Sequence, residues 1–281
     1  MPWPEFHHEA MATDFSLTLA APQHPADYAR QAAGACWREL DRLESELSRF
    51  VESSDIARAN RLARGETITI TDTTLECLLI AAEVCVATQN AFDPAYASER
   101  DSPNTPPFTL DPSSHTLTSH ATRLHLDLGA IGKGYALDRL ATILREWEIP
   151  SACLQSGGST ALLLDAPPGS PGWIIGIGES DTYRTLNLAN TSLSGSGIAV
   201  KGSHLIDPTR RTAAARTTRV WALAPSAALS DALSTAFFIM SDEEISAFCR
   251  AQPEIGAALA TPPRLIPHGL LIPLLAPENN P

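Results

Sequence analysis

Asp127-Leu128-Gly129-Ala130-Ile131-Gly132-Lys133-Gly134 packs a carboxylate, three glycines and one of the chain's two lysines into one short stretch. Glycine lets backbone N–H groups come close to phosphate oxygens without a Cβ in the way. Lysine adds a mobile point charge. Leu137, Leu140, Leu144 and Trp147 follow at helical spacing, which predicts a tight turn into a helix over about 133–147. The spacing is neither G-x-x-x-x-G-K-[ST] nor G-x-G-x-x-G, so P-loop and Rossmann readings fail on their own terms. Two readings stay open from spacing alone: a turn that grips a phosphate, or a plain strand-to-helix turn with Lys133 in solvent.

Upstream, residues 14–20 alternate as a strand, and Cys36, Leu40, Leu43, Leu47 and Phe50 mark a helix over 26–50. A short helix is predicted after Ser54, and another from a cap at Asp72 or Thr73 to about Thr88. Residues 98–114 are polar and proline-rich and read as a surface loop, with brief strands at Leu117 and 123–127. Downstream, strands are predicted at 151–155, 160–165, 172–177, 184–188, 190–194 and 216–223, helices at 230–240 and 242–250, and edge strands in the last forty residues. The strands arrive as hairpin-like neighbours, not as regular βαβ units. The fold class is therefore read as α+β, with largely antiparallel sheets flanked by helices. The reading is one domain over 1–281, with room for two closely packed lobes.

Length and composition bound the function. A chain of 281 residues, 44% hydrophobic and 19% charged, can bury a large core and does not call for extended disorder. The net charge is −12 and no basic track is visible, which argues against nucleic acid as a partner. A small anion remains open, because helix ends and glycine backbone bind phosphate locally. Cys36, Cys77, Cys85, Cys153 and Cys249 are odd in number and lack zinc spacing, so they read as reduced, mostly buried thiols. The N-terminal residues lack a basic-apolar leader pattern and no apolar run reaches a membrane span; the expected location is cytoplasmic, with no integral membrane segment.

A second cluster opens a helix about a hundred residues after the first. Asp231 and Thr235 stand four apart, so on a helix they share a face and offer hard oxygens of the kind magnesium takes. The alternative is helix capping, with Ser230 as N-cap and Asp231 as a first-turn acid. His204-Leu-Ile-Asp207-Pro208 is a third cluster: the imidazole can accept a proton or stack on an aromatic ligand, or the stretch is a strand-ending turn. Met11-Ala12-Thr13 and Ala91-Phe92-Asp93-Pro94 carry weaker signals that ordinary turns also explain. Neither Gly176-x-Gly178 nor Ser194-Gly-Ser-Gly197 makes a serine-centred elbow, which speaks against an α/β-hydrolase.

Taken in order, MAT (11–13), LSRFVESSDIARAN (47–60), AFDP (91–94), DLGAIGKGYALD (127–138), QSGGS (155–159), SHLIDPTR (203–210) and SDALSTAFFIM (230–240) resemble the landmarks of the ApbE family, the FAD:protein FMN transferases. The resemblance implies an ApbE-like fold with an FAD cleft between lobes. It implies Mg2+-dependent transfer of FMN from FAD to a threonine of an acceptor protein, with release of AMP. Alternatives within the resemblance are an FAD pyrophosphatase and a non-catalytic FAD-binding protein. Asp231 and Thr235 would be side-chain metal ligands and Ala130 would lend its carbonyl. Asp127 and Lys133 would hold FAD, and Met11, Phe50, Ala91, Phe92 and Asp93 fall at other flavin-contacting positions. His204 falls where the family's histidine approaches the flavin, and His204 and Asp231 are alternative proton acceptors. The acceptor would carry a Ser/Thr-x-Ala-Thr-like segment. This chain departs from the pattern at Ala12 (usually glycine), over 95–100, and over 198–212, where the turn after Asp207-Pro208 lacks its glycine.

Overall fold

Period-two alternation builds the centre of the molecule. Phe15, Leu17 and Leu19 point one way from their strand, as do Ala152 and Leu154, and Val220 and Ala222, into one buried cluster. The computed structural model describes residues 3–102, 105–197, 219–261 and 263–276. In chain order its elements are β1 (Glu5–Ala10), β2 (Thr13–Leu19), α1 (Ala26–Leu47), α2 (Asp55–Ala59), β3 (Thr67–Thr69), α3 (Asp72–Ala87), β4 (Phe108–Asp111), β5 (Thr116–Ser119) and α4 (Gly132–Glu146). There follow β6 (Ala152–Ser156), β7 (Thr160–Leu163), β8 (Trp173–Ile177), β9 (Arg184–Leu188), β10 (Thr191–Gly197), β11 (Arg219–Ala224), α5 (Ala227–Ile239), α6 (Asp242–Ala251), β12 (Gly256–Thr261), β13 (Arg264–Gly269) and α7 (Leu271–Leu275).

The main sheet has eight strands in the order β1-β2-β6-β7-β10-β11-β12-β13; β3-β5-β4 and β8-β9 form two smaller sheets. Every pairing between these strands is antiparallel, as the hairpin-like succession predicts. One face of the main sheet carries α1, α4 and α5 over the larger cluster. The other face holds Cys153, Ala161, Leu163, Leu193, Trp221 and Leu223 beneath Trp173, Ile177, Leu186 and Leu188 of the β8–β9 hairpin. β12 and β13 finish the sheet at its edge, as expected.

Three local expectations are corrected. α5 begins at Ala227, not Ser230, because Ser226 is its cap and accepts from the Leu229 amide. α3 is capped by Thr71, whose Oγ1 accepts from the Thr74 amide, while its own hydroxyl donates to Asp55. Residues 123–127 form no strand beyond a single Glu99–Arg123 bridge. Side chains hold that segment instead: the Asn60 amide donates to the Leu126 carbonyl at 2.9 Å and accepts its N–H at 2.6 Å. β1 escaped sequence reading because Glu5, His7 and Glu9 are interleaved with Phe6, His8 and Ala10, so no clean apolar row appears.

Candidate active site at the starts of two helices

The turn before α4 is built by its own polar groups. The Asp127 carboxylate accepts from the Gly129 amide at 2.9 Å, which curls the chain back toward the helix. Asp127 is itself placed from two sides: its amide donates to the Pro94 carbonyl at 2.9 Å, and its other oxygen lies 3.3 Å from Arg49 Nε. The Lys133 ammonium donates to the Gly129 carbonyl at 2.7 Å and stands 4.0 Å from Asp231 Oδ2. Ala130 lies in the same turn, half-buried.

Asp231 sits one turn into α5 and is 1% exposed. The capping reading therefore fails for it. Its carboxylate is aimed across at α4, where the Gly134 amide donates from 3.3 Å, and at β7, where Thr160 Oγ1 lies at 3.5 Å. These contacts are long for a charge-assisted bond, so a buried carboxylate is left short of compensation. Thr235 is on the same face one turn on, its hydroxyl 3.5 Å from the Asp231 carbonyl. Glycine at 134 is obligatory for this approach, because a Cβ there would meet the Ala227 carbonyl oxygen at 2.1 Å.

A serine ladder fixes the rest of α5 to the sheet. Ser192 and Ser194 hydroxyls meet Ser230 at 2.8 and 2.7 Å, and Ser196 meets Ser234 at 2.8 Å, all buried. Small hydroxyl side chains bring the helix close to β10 and leave no unsatisfied group between them.

The other expected residues that are described lie on three separate connections between elements. Phe50 follows α1 and is 79% exposed, with the Arg49 guanidinium 4.2 Å over its ring. Met11 and Ala12 form the two-residue turn between β1 and β2 at φ 51° and 58°. The Met11 amide donates to Glu44. Phe92 is 3% exposed and packs in the main core, so its ring face is not open to a ligand. Asp93 accepts from Arg100 at 2.7 Å and from the Ala95 amide at 2.8 Å, bracing the 91–95 turn. His204 and the whole 198–218 segment lie outside the described residues.

On the opposite face of the main sheet, a cavity of about 330 Å³ opens under the β8–β9 hairpin. Its walls include Gly157, Gly158, Thr160, Tyr183, Arg219 and Trp221. Thr160, which also contacts Asp231, stands where the cavity and the helix starts meet. Arg219 crosses from the Gly158 carbonyl at 3.2 Å toward Glu179 at 4.0 Å. All five cysteines are free, and burial pushes Cys36 up to about 12 and Cys85, Cys153 and Cys249 to about 11, so none is a ready nucleophile. No described helix is long and apolar enough to cross a membrane.

A family model described as the ApbE family matches residues 11–259, most of the chain. The chain belongs to the ApbE family. Among curated proteins, it is similar to the FAD:protein FMN transferase of Treponema pallidum (strain Nichols), 27% identical over 175 residues, or 54% of this chain. That match spans only 48% of the relative's length. Among solved structures, the flavin transferase ApbE from Vibrio cholerae superposes with a TM-score of 0.81 at 20% identity, over 95% of this chain and 97% of that one. The apo Pseudomonas stutzeri flavinyl transferase ApbE gives 0.79 at 19%, over 94% and 93%. The Thermotoga maritima ApbE protein gives 0.80 at 20%, over 98% and 100%. At such identities these structures establish the fold.

Within this ApbE chain, sequence reasoning missed Arg49, Thr160 and the serine ladder. The ladder had a signal: Ser192, Ser194 and Ser196 alternate on one strand face, and Ser230 and Ser234 stand four apart on a helix face. Arg49 and Thr160 had none, because only the fold carries them to Asp127 and Asp231.

Proposed function

We propose that this chain is a magnesium-dependent FAD:protein FMN transferase, moving FMN from FAD to a threonine of an acceptor protein and releasing AMP. The observation that carries the reading is Asp231: a buried carboxylate facing a glycine-lined turn and a lysine at the meeting of two helix starts. Family membership and the activity of the Treponema relative, an FAD:protein FMN transferase, support it.

Among the described residues no group of three or more His, Cys, Asp or Glu side chains is placed to hold a metal. Magnesium commonly takes one or two carboxylates and leaves the rest of its shell to phosphate and water. Asp231, the Thr235 hydroxyl and the Ala130 carbonyl are the oxygens that would hold it, and the long contacts around Asp231 leave that carboxylate free to bind a cation. Bound there, it would neutralise charge gathering on the pyrophosphate.

The chain's own groups do the rest. Lys133 gives up the Gly129 carbonyl for a pyrophosphate oxygen, with Asp127 keeping the turn closed. The acceptor hydroxyl oxygen attacks the FMN-side phosphorus, the bond to the AMP phosphate breaks, and the hydroxyl proton leaves. His204 and Asp231 are the two groups offered for that proton. An acceptor with a Ser/Thr-x-Ala-Thr-like segment presents the hydroxyl.

The test is incubation with FAD and Mg2+, with and without an acceptor bearing that segment, followed by mass analysis of nucleotides and protein. Covalent FMN on the acceptor with equal AMP is expected, and its loss in Asp231→Ala. AMP and free FMN without an acceptor would replace transfer by hydrolysis. Full activity in Asp231→Ala at limiting Mg2+ would reject the ligand assignment.

A further inference from the structure

We infer that Asp138 is a positioning residue that fastens the first turn of α5 to α4 and thereby sets where Asp231 and Thr235 stand against the Gly129–Gly134 turn. Asp138 Oδ1 accepts from the Ala227 amide and Oδ2 from the Ala228 amide, both at 2.8 Å. Each carboxylate oxygen thus takes one free N–H of a neighbouring helix, a charge-assisted cap supplied from outside that helix. The helix's own cap, Ser226, is occupied with the Leu229 amide. The two caps do not compete.

Asp138 works with Gly134, one turn earlier on the same face of α4. Gly134 packs against the Ala227 carbonyl and donates its amide to Asp231. Consecutive turns of α4 therefore hold consecutive turns of α5: Asp138 at 227–228, Gly134 at 227 and 231. Any slide of α5 that stretches the Asp138 bonds also moves the Asp231 carboxylate relative to Lys133. Asp138 itself lines a cavity of about 300 Å³ with Glu76, Tyr135, Arg139 and Arg145, away from the glycine turn. It acts on the site through α5 and not by touching substrate. The inference rests on the proposed role of Asp231.

The clamp carries a pH dependence. Burial pushes the Asp138 carboxyl up to about 6, with Glu76 adding to the rise, against the two amides and Arg145 that favour the charged form. Tyr135, which donates to Glu76, and Arg139, which pairs with Glu76 and Glu39, complete the charged and titratable groups there. Protonation removes the negative charge from the start of α5 and loosens both bonds.

The test uses the full chain with Mn2+ as probe, read by electron paramagnetic resonance, and amide exchange read by mass spectrometry. In Asp138→Asn, exchange at residues 227–228 accelerates and the Mn2+ dissociation constant rises about 10-fold or more, the size typical of losing a partner that orients a ligand. FAD binding without metal changes little. Wild-type Mn2+ affinity falls as pH drops through 6, and the variant lacks that inflection. Asp138→Glu keeps the charge on a longer arm; it retains the inflection with an intermediate affinity, and serves as the comparison if Asp138→Asn does not fold. Wild-type exchange at 227–228 in the variants overturns the clamp, whatever the metal result. Wild-type Mn2+ affinity with accelerated exchange overturns its link to the site. Mn2+ affinity unchanged in Asp231→Ala instead rejects the proposed ligand, and exchange still decides the clamp.

Discussion

Gly134 and Ala227 are in backbone contact across the α4–α5 crossing: a side-chain carbon on residue 134 would lie 2.1 Å from the Ala227 carbonyl oxygen and 2.8 Å from the Ala228 nitrogen. The neighbour is backbone, which cannot swing away. Gly134→Ala must push the helices apart, at a cost of about 3 kcal/mol, the upper range for overpacking a tight contact. Chemical denaturation of the variant checks this, and a loss below about 0.5 kcal/mol would contradict the observed crossing.

Ala12 sits at φ 58° and Met11 at φ 51°, in a two-residue hairpin turn that favours Asn-Gly or Gly-rich pairs. A Cβ in left-handed backbone costs roughly 1–2 kcal/mol, partly offset by the greater freedom of glycine in the unfolded chain. Ala12→Gly is expected to raise the melting temperature, by a net gain of about 0.5–1 kcal/mol. Unchanged or lower stability would refute the strain.

Ser234 receives the Ser196 hydroxyl at 2.8 Å and donates its own to the Asp231 carbonyl at 2.9 Å. Ser234→Ala strands the buried Ser196 hydroxyl and should cost about 1–3 kcal/mol. Adding Ser196→Ala removes the stranded group, so the double variant should be at least as stable as Ser234→Ala. Additive losses in a double-mutant cycle would show that the two hydroxyls act independently.

Lys133 has one hydrogen-bond partner among the described residues, the Gly129 carbonyl. Lys133→Ala should weaken FAD about 10-fold, the equivalent of one charged hydrogen bond of modest strength. Isothermal titration reads this directly, and equal affinity would remove Lys133 from the phosphate site.

Asp138 also makes a thermodynamic prediction. Its folded carboxyl, near 6, binds a proton more tightly than the unfolded side chain, whose ordinary value is 3.8. Its contribution to stability is therefore full below the unfolded value and is lost as pH rises through 6. Because Asn does not titrate, the melting temperature of wild type should fall relative to that of Asp138→Asn as pH rises from about 4 to 7. A wild type that gains on the variant with rising pH would reverse the sign and with it the buried character of the group.

Much of the α+β class was legible because helices and hairpins announce themselves locally. The Lys133–Trp147 stripe placed α4, and the short succession of strands required antiparallel pairing. Ser54 was readable as a cap because its role needs only neighbouring residues. Boundaries set by distant partners were not. Sequence alone starts α5 at Ser230, since Ser230-Asp231 looks like a cap; both side chains are instead turned inward, to β10 and to α4. The candidate site divides the same way. Asp127 and Lys133 were visible as chemistry in one stretch, and Asp231 with Thr235 in another. What joins them, through Gly134, Asp138 and Thr160, depends on contacts 71 to 97 residues apart in sequence.

β7 pairs directly with β10, so the β8–β9 hairpin is an excursion outside the ladder of the main sheet. Lengthening, shortening or exchanging that excursion leaves the register of its parent strands intact. It forms the outer wall of one cavity, while Asp231 is anchored on the reverse side of the same strands. The hairpin can therefore change in length or sequence while α5 keeps its seat, with a single β-layer as the partition between them.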